Sequence, residues 1–322
     1  MAVDVTQESL AALNLVLDVD KEILGVPLRI RGGNDASHNL ISGTNDWLIF
    51  YKAGPTTVSM RVSPPWASRD TPWGVAGNIV WKLHVISTGQ RLGMNSSRVE
   101  FYAINKDLPP FYKGTVPVKL ARRFVLPRQT KTSWIRHCCK AVFHDFLFEY
   151  ETQCGGSGYG VHYGGGQFQL ERYLRHIGRG ELVNCFDQAG IMQICLALCP
   201  ATASTDWIGM SPFGYIKTTV LVGHGACNNP MFGNNGSSKV CDNNLPGRSG
   251  FGNHAFLRTK ERMIVDACCG PFHGDKTLDK YINESIQDKN ETRLYETPGE
   301  KYNLPGKPRH ASPKGGINGF KI

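Results

Sequence analysis

Between about Val26 and Leu126 apolar and polar residues alternate in short runs. PLRIRG, DWLIFYKAG, TTVSMRVSP, NIVWKLHVIS, RVEFYAIN and VPVKLARRFVL all have strand length and are rich in β-branched or aromatic residues. Turn-forming pieces such as GGND, GTND, SPPWASRDTPWG and GMNSS separate them. Six or seven strands with no long helix predict an N-terminal antiparallel β-sandwich within residues 1–127. Ahead of it, SLAALNLVL predicts a helix against the sandwich edge.

After Pro127 the apolar period lengthens. Trp134, Ile135, Cys138, Val142, Phe146 and Tyr150 fall near helical spacing, FQLERYLRHIG reads as a short helix, and NCFDQAGIMQICLALCP reads as an apolar helix ended by Pro200. The strands YIKTTVLVG, HAFLRT and RMIVDAC follow, with the insertion CNNPMFGNNGSSKVCDNN between the first two, where its position favours a substrate lid. Helices first and antiparallel strands afterwards predict an α+β domain over 128–285. Residues 286–322 are polar and rich in Lys, Pro and Gly, which predicts an extended or partly disordered tail.

Composition narrows the partners. A chain of 322 residues with 20% charged and 41% hydrophobic side chains suits a globular protein of two domains. The net charge of +9 is scattered along the chain and interleaves with no aromatic repeat, so nucleic acid is not an expected partner. None of the ten cysteines forms a C-x-x-C pair, and no metal or other cofactor is expected. The first residues carry acids and no basic leader, and no apolar run reaches the roughly 18 residues of a membrane span. The expectation is a cytoplasmic protein that does not enter a membrane.

One cysteine has the setting that nucleophilic chemistry demands. A reactive thiol needs a helix N-terminus or an imidazolium beside it, and a base held in one tautomer by a third group. Cys185 follows the turn-like GRGELVN and opens the helix FDQAGIMQICLAL. Cys138, Cys139, Cys195 and Cys199 fall inside helices, where a small buried hydrophobe is expected. His254 starts the strand HAFLR, and Asp266 ends the returning strand RMIVDA, which predicts a cross-strand His–Asp contact. An Asp after Met263, Ile264 and Val265 needs a partner, and the imidazole provides one. His224 and His273 are weaker candidate bases, and His137 with His144 reads as a helix face.

This order and placement resemble the transglutaminase-like superfamily, with its papain-like Cys-His-Asp core, as in transglutaminases and peptide N-glycanases. GELVNCFDQAGIM is similar to the nucleophile helix of that group, and GNHAFLRTKERMIVDACCGP to its His–Asp hairpin. The resemblance spans about 130–280 and implies Cys185 as nucleophile, His254 as base and Asp266 as orienting acid. It implies thiol-dependent acyl transfer on a peptide or other amide-bearing substrate, resolved by water or by an amine acceptor. The cation-binding acidic run of calcium-dependent members and the zinc pairs of the glycanases are both absent. Oxyanion donors in this group lie upstream of the cysteine, which nominates Tyr150, Tyr159, Tyr163, Gln167 and Gln169. Trp207 and Phe256, with Phe186 and Phe213, are expected to line a dry cleft. An arylamine N-acetyltransferase-like enzyme and an inactive binding or scaffold protein are the alternative readings.

Overall fold

The computed structural model describes residues 2–4, 11–34, 42–63, 71–126, 132–211, 213–214, 216, 219–227, 251–286 and 310–322. The chain divides into two compact units, Met1–Lys106 and Asp107–Ile322. The insertion expected to act as a substrate lid, and residues 287–309 of the expected tail, lie outside the described residues apart from Cys227.

Seven strands build the first unit: β1 (Ala2–Asp4), β2 (Ala11–Val19), β3 (Leu28–Asn34), β4 (Ser42–Leu48), β5 (Gly54–Ser63), β6 (Trp73–Val85) and β7 (Arg91–Ile104). They hydrogen-bond in the order β1-β7-β6-β3-β4-β5-β2, antiparallel except for the β1–β7 pair. The sequence predicts two stacked sheets; the described strands form one. The reason lies in β6 and β7, of 13 and 14 residues, which pair from Trp73↔Ala103 to His84↔Arg91 as a single long hairpin. Leu28, Ile30, Val58, Met60, Ile79 and Phe101 bury into one apolar cluster with Trp73 and Trp81. From Ala11 on, the expected helix SLAALNLVL is a strand, because Ala11–Val19 pairs residue for residue with Gly54–Val62. Non-local pairing overrides the helix propensity of Ala and Leu there.

The second unit begins before Pro127, because VPVKLARRFVL contains a helix and not a strand. Pro117 caps α1 (Val118–Phe124), and Leu120, Ala121 and Phe124 bury one face. Then come α2 (Trp134–Lys140), continued by a π-turn over Ala141–Asp145, β8 (Glu149–Tyr150), β9 (Gly165–Phe168), α3 (Leu170–His176), β10 (Leu182–Val183) and α4 (Cys185–Leu196). After these run β11 (Thr205–Ser211), β12 (Thr219–Leu221), β13 (Gly225–Cys227), β14 (His254–Thr259), β15 (Ile264–Asp266), β16 (Cys269–Gly270), β17 (Phe272–His273), α5 (Leu278–Ser285), β18 (His310–Lys314) and β19 (Gly316–Phe320). The unit is α+β, with a central antiparallel sheet in the order β17-β15-β14-β11-β18. Nearly every residue of α4 is buried, so this helix is apolar around its circumference and forms the middle of the core. Among the described residues no helix is long and apolar enough to cross a membrane.

The final residues correct the expected tail. β18 adds an edge to the central sheet by pairing with β11, and β19 pairs in parallel with β9. Ile317 donates its backbone N–H to Gln193 of α4 at 2.8 Å, and the Phe320 ring meets Tyr112 edge-on at 5.2 Å. Apolar Ile317 and Phe320 in an otherwise polar stretch supply the anchor, and the partners they need lie far away in sequence.

Candidate active site

Local chemistry starts α4 at Cys185. The Asn184 side chain accepts the Asp187 N–H at 3.0 Å, and the Asp187 carboxylate accepts the Asn184 N–H at 3.1 Å, a reciprocal capping box. Asp187 also takes the Ser157 hydroxyl at 2.5 Å and the Gly158 and Tyr159 N–H groups at 2.9 and 3.2 Å. Burial pushes its carboxyl up to about 6, against the opposing pull of these donors. The glycine-rich loop after Cys154 is thereby tied to the helix end that carries the thiol.

His254 and Asp266 meet on neighbouring strands. β14 and β15 pair Leu257 with Val265 and Arg258 with Ile264, so Asp266 continues opposite Phe256 and reaches His254 diagonally. The cross-strand contact is present, as a diagonal one offset by two residues. Asp266 Oδ2 lies 2.8 Å from His254 Nε2, and both side chains are almost wholly buried. An ionised carboxylate only accepts, so Nε2 carries the proton of that bond and Nδ1 is the other face of the ring.

Among the described residues buried Nδ1 meets no hydrogen-bond partner, and the Cys185 thiol lies close enough to act on the imidazole electrostatically. The imidazole thus has Asp266 on one side and the thiol as its other ionisable neighbour. Burial disfavours its charged form, but Asp266 and then Cys185 outweigh that, and the His254 pKa is pushed up to about 10. Phe213 packs against the ring at 4.4 Å between centroids, tilted by 33°, and Phe256 sits at 5.9 Å.

Asp266 is held by more than its histidine. The Cys268 and Cys269 N–H groups donate to Oδ1 at 2.8 and 3.1 Å, and the Tyr281 hydroxyl of α5 donates to Oδ2 at 2.8 Å. Gln188, one turn after Cys185, donates from Nε2 to Val142 O at 3.3 Å and Ala267 O at 3.2 Å, and accepts from Tyr173 at 2.9 Å. It locks α4 to the residue following Asp266. The sequence reading missed Tyr281 and Gln188. Tyr281 gives no signal before α5 is known to cross the end of β15, and Gln188 shows only as a polar residue inside an apolar helix.

The other expected residues divide. Tyr163 is at the tip of a tight turn closed by two hydrogen bonds between His162 and Gly165, of 2.9 and 2.8 Å. Its ring lies on Gly209, where a Cβ would come within 2.6 Å of the ring carbon bearing the hydroxyl. Trp207 Nε1 donates to the Tyr163 carbonyl at 2.9 Å, Phe186 stands edge-on at 6.2 Å and Lys314 Nζ is 5.4 Å from the ring centre. Burial and the neighbouring Cys185 push the Tyr163 hydroxyl up. Tyr150 is buried within electrostatic reach of Cys185, and its pKa is raised by burial and then by that thiol.

Tyr159, Gln167 and Gln169 have other duties. The Tyr159 hydroxyl meets His176 Nδ1 at 3.0 Å, inside an aromatic cluster with Phe148, Phe168 and Tyr173. Gln167 is exposed on β9 opposite Gly319, and Gln169 precedes α3 and accepts from Arg172 at 3.4 Å. Among the rival histidines, His224 Nε2 is 3.1 Å from Tyr150 O and His137 Nε2 is 2.7 Å from Phe124 O. Burial lowers the His273 pKa, with Arg136 adding to it. Cys138, Cys139, Cys195 and Cys199 are buried in the core. Among the described residues no group of three or more His, Cys, Asp or Glu side chains is placed to hold a metal ion. Compared with known proteins, the chain matches no family model and no curated protein.

Proposed function

We propose that the unit spanning residues 107–322 is a cysteine-dependent acyl-transfer enzyme acting on amides, with a transglutaminase-like core. One observation carries this reading: a single buried imidazole is held through Nε2 by Asp266 and has the Cys185 thiol, in the first turn of a buried helix, as its other ionisable neighbour. Core histidines are ordinarily satisfied by backbone or solvent, whereas this arrangement has the parts of a nucleophile, a base and an orienter.

In the proposed reaction His254 Nδ1 already holds the Cys185 proton, as the raised pKa of the ring favours, and the sulfur attacks an amide carbonyl. The tetrahedral intermediate collapses with cleavage of the C–N bond, and the imidazolium hands its proton to the departing ammonia or amine. A thioester remains on Cys185. Water or an amine, deprotonated by His254, then attacks the thioester carbon and releases the thiolate. First-turn N–H groups of a helix have no partner within the helix, which makes the Cys185 backbone N–H one oxyanion donor. Tyr163, half-buried and within electrostatic reach of Cys185, is our choice for the second. Apolar Phe186, Phe213 and Phe256 near the pair limit water and favour an amine acceptor.

The test is to incubate the full chain with glutamine-containing peptides, with and without a labelled primary amine, and to follow both product and protein mass. Wild-type protein is expected to form an acyl adduct on Cys185 that the amine or water resolves, and Cys185→Ala is expected to lose turnover with its fold intact. Full activity of Cys185→Ala, or a Cys185 no more reactive to iodoacetamide than exposed Cys154, would refute the reading. Acylation by an acyl-coenzyme A in place of a peptide amide would point instead to an N-acetyltransferase-like activity.

A further inference from the structure

The proposed chemistry depends on His254 being oriented by Asp266, and Asp266 is itself held by a side chain from outside the three. We infer that Tyr281 is a positioning residue of this site, whose hydroxyl fixes the Asp266 carboxylate and through it the imidazole of His254. The inference rests on the acyl-transfer reading for its functional meaning, but its physical content concerns the Asp266–His254 pair alone.

Three observations support it. The Tyr281 hydroxyl donates at 2.8 Å to Oδ2, the same oxygen that His254 Nε2 uses at 2.8 Å. With the Cys268 and Cys269 N–H groups on Oδ1, four donors saturate the carboxylate and leave it no room to turn. The phenol also remains a donor at every working pH, because burial and then the Asp266 charge push its pKa well above the ordinary tyrosine value. A packing role alone accounts for the ring, which contacts Phe256 at 4.8 Å and Phe272 at 4.9 Å, but phenylalanine would fill that slot equally well. Placing a hydroxyl in that apolar pocket is costly unless it is bonded, and Asp266 is the acceptor that bonds it.

Among the described residues Cys185 from α4 acts on His254, and the Asp266 charge acts on Cys139 from α2 and on Cys268 after β15. Tyr281 differs from all of them in bonding the carboxylate oxygen that the imidazole shares. A hydrogen bond to a charged form favours that form, so removing it makes the carboxylate a stronger attractor of the proton held between Asp266 and His254.

The experiment is a pH titration of the His254 ring by nitrogen-15 NMR on the full chain, comparing Tyr281→Phe with the parent. Both carry Cys185→Ala, so the thiol does not complicate the curve. The midpoint for loss of the imidazolium proton is expected to move up by on the order of one pH unit in Tyr281→Phe. An unchanged or lowered midpoint would overturn the inference. If Tyr281→Phe does not fold, difluorotyrosine at position 281 serves instead. Its more acidic hydroxyl donates more strongly, so the midpoint must move down, and no movement would overturn the inference. Alkylation of Cys185 in the wild-type background is measured alongside. A shifted midpoint with an unreactive Cys185 leaves the Tyr281 role standing while the enzymatic reading falls. A reactive Cys185 with an unmoved midpoint does the reverse.

Discussion

Asp266→Asn changes one atom of the carboxylate and removes its charge, and the structure sets the consequence. Four donors converge on Asp266: His254 Nε2, the Tyr281 hydroxyl and the N–H groups of Cys268 and Cys269. An amide has one accepting oxygen. With its oxygen kept on the two backbone N–H groups, the new NH₂ would face the imidazole and the phenol, which must turn from donors into acceptors, so two charge-assisted bonds become neutral ones. Hydrogen bonds to a charged group contribute roughly 1.5–3 kcal/mol each against about 0.5–1.5 for neutral ones, so the loss comes to about 2–3 kcal/mol. That is a large share of the ~5–15 kcal/mol that holds a typical domain folded.

The same variant carries a pH signature. The folded-state pKa of His254, about 10, lies above its unfolded value near 6.5, so its contribution to stability is fully present below the unfolded value. That contribution is lost as pH rises through about 10. In Asp266→Asn the attracting charge is gone and burial favours the neutral ring, so this part of the pH dependence should vanish. The assay is chemical denaturation at about pH 6 and about pH 9, followed by hydrogen-exchange mass spectrometry on the peptide covering His254–Asp266. Subtracting the variant from wild type isolates the pair. A variant as stable as wild type at both pH values would refute the reasoning, because it would mean that the four-donor site contributes nothing.

Gly209→Ala drives a methyl into the Tyr163 ring. It is expected to cost about 1–3 kcal/mol of stability by overpacking and to raise the rate of Cys185 alkylation several-fold as the ring is displaced; a rate equal to wild type would show that Tyr163 does not cover the thiol. Ile317→Ala empties a buried position between β19 and α4 and is expected to destabilise the second unit by about 2–4 kcal/mol in chemical denaturation. A loss below ~1 kcal/mol would show that the C-terminal strands are dispensable to the core.

Much of the candidate site was legible because its signals are local. An asparagine before a cysteine, an Asp three residues after the asparagine and a long apolar run announce a capped helix with the thiol in its first turn, and α4 begins at Cys185. HAFLRT and RMIVDAC are short and apolar around the turn TKE, so the hairpin that joins His254 to Asp266 is also written locally. Elements whose partners are distant were misread. Ala11–Val19 carries helix-forming residues yet is a strand, because β5 offers it a full ladder. VPVKLARRFVL alternates like a strand yet contains a helix, because Leu120, Ala121 and Phe124 find a core to bury against.

Which residues have chemistry to offer, and which helix start presents the thiol, follow from the order of amino acids, since helix capping and hairpin closure act over a few residues. The folded arrangement was needed to show that Tyr281 and two backbone N–H groups complete the carboxylate's coordination and that Gln188 ties α4 to the end of β15. It was needed again to show that Tyr163 and Tyr150, rather than Tyr159, Gln167 or Gln169, lie within electrostatic reach of Cys185, and that residues 310–320 pair into the sheets of the second unit. The cause is the same in each case. A buried donor must find an acceptor and an apolar side chain must find a cover, and which group meets that need depends on what the folded chain brings within a few ångströms.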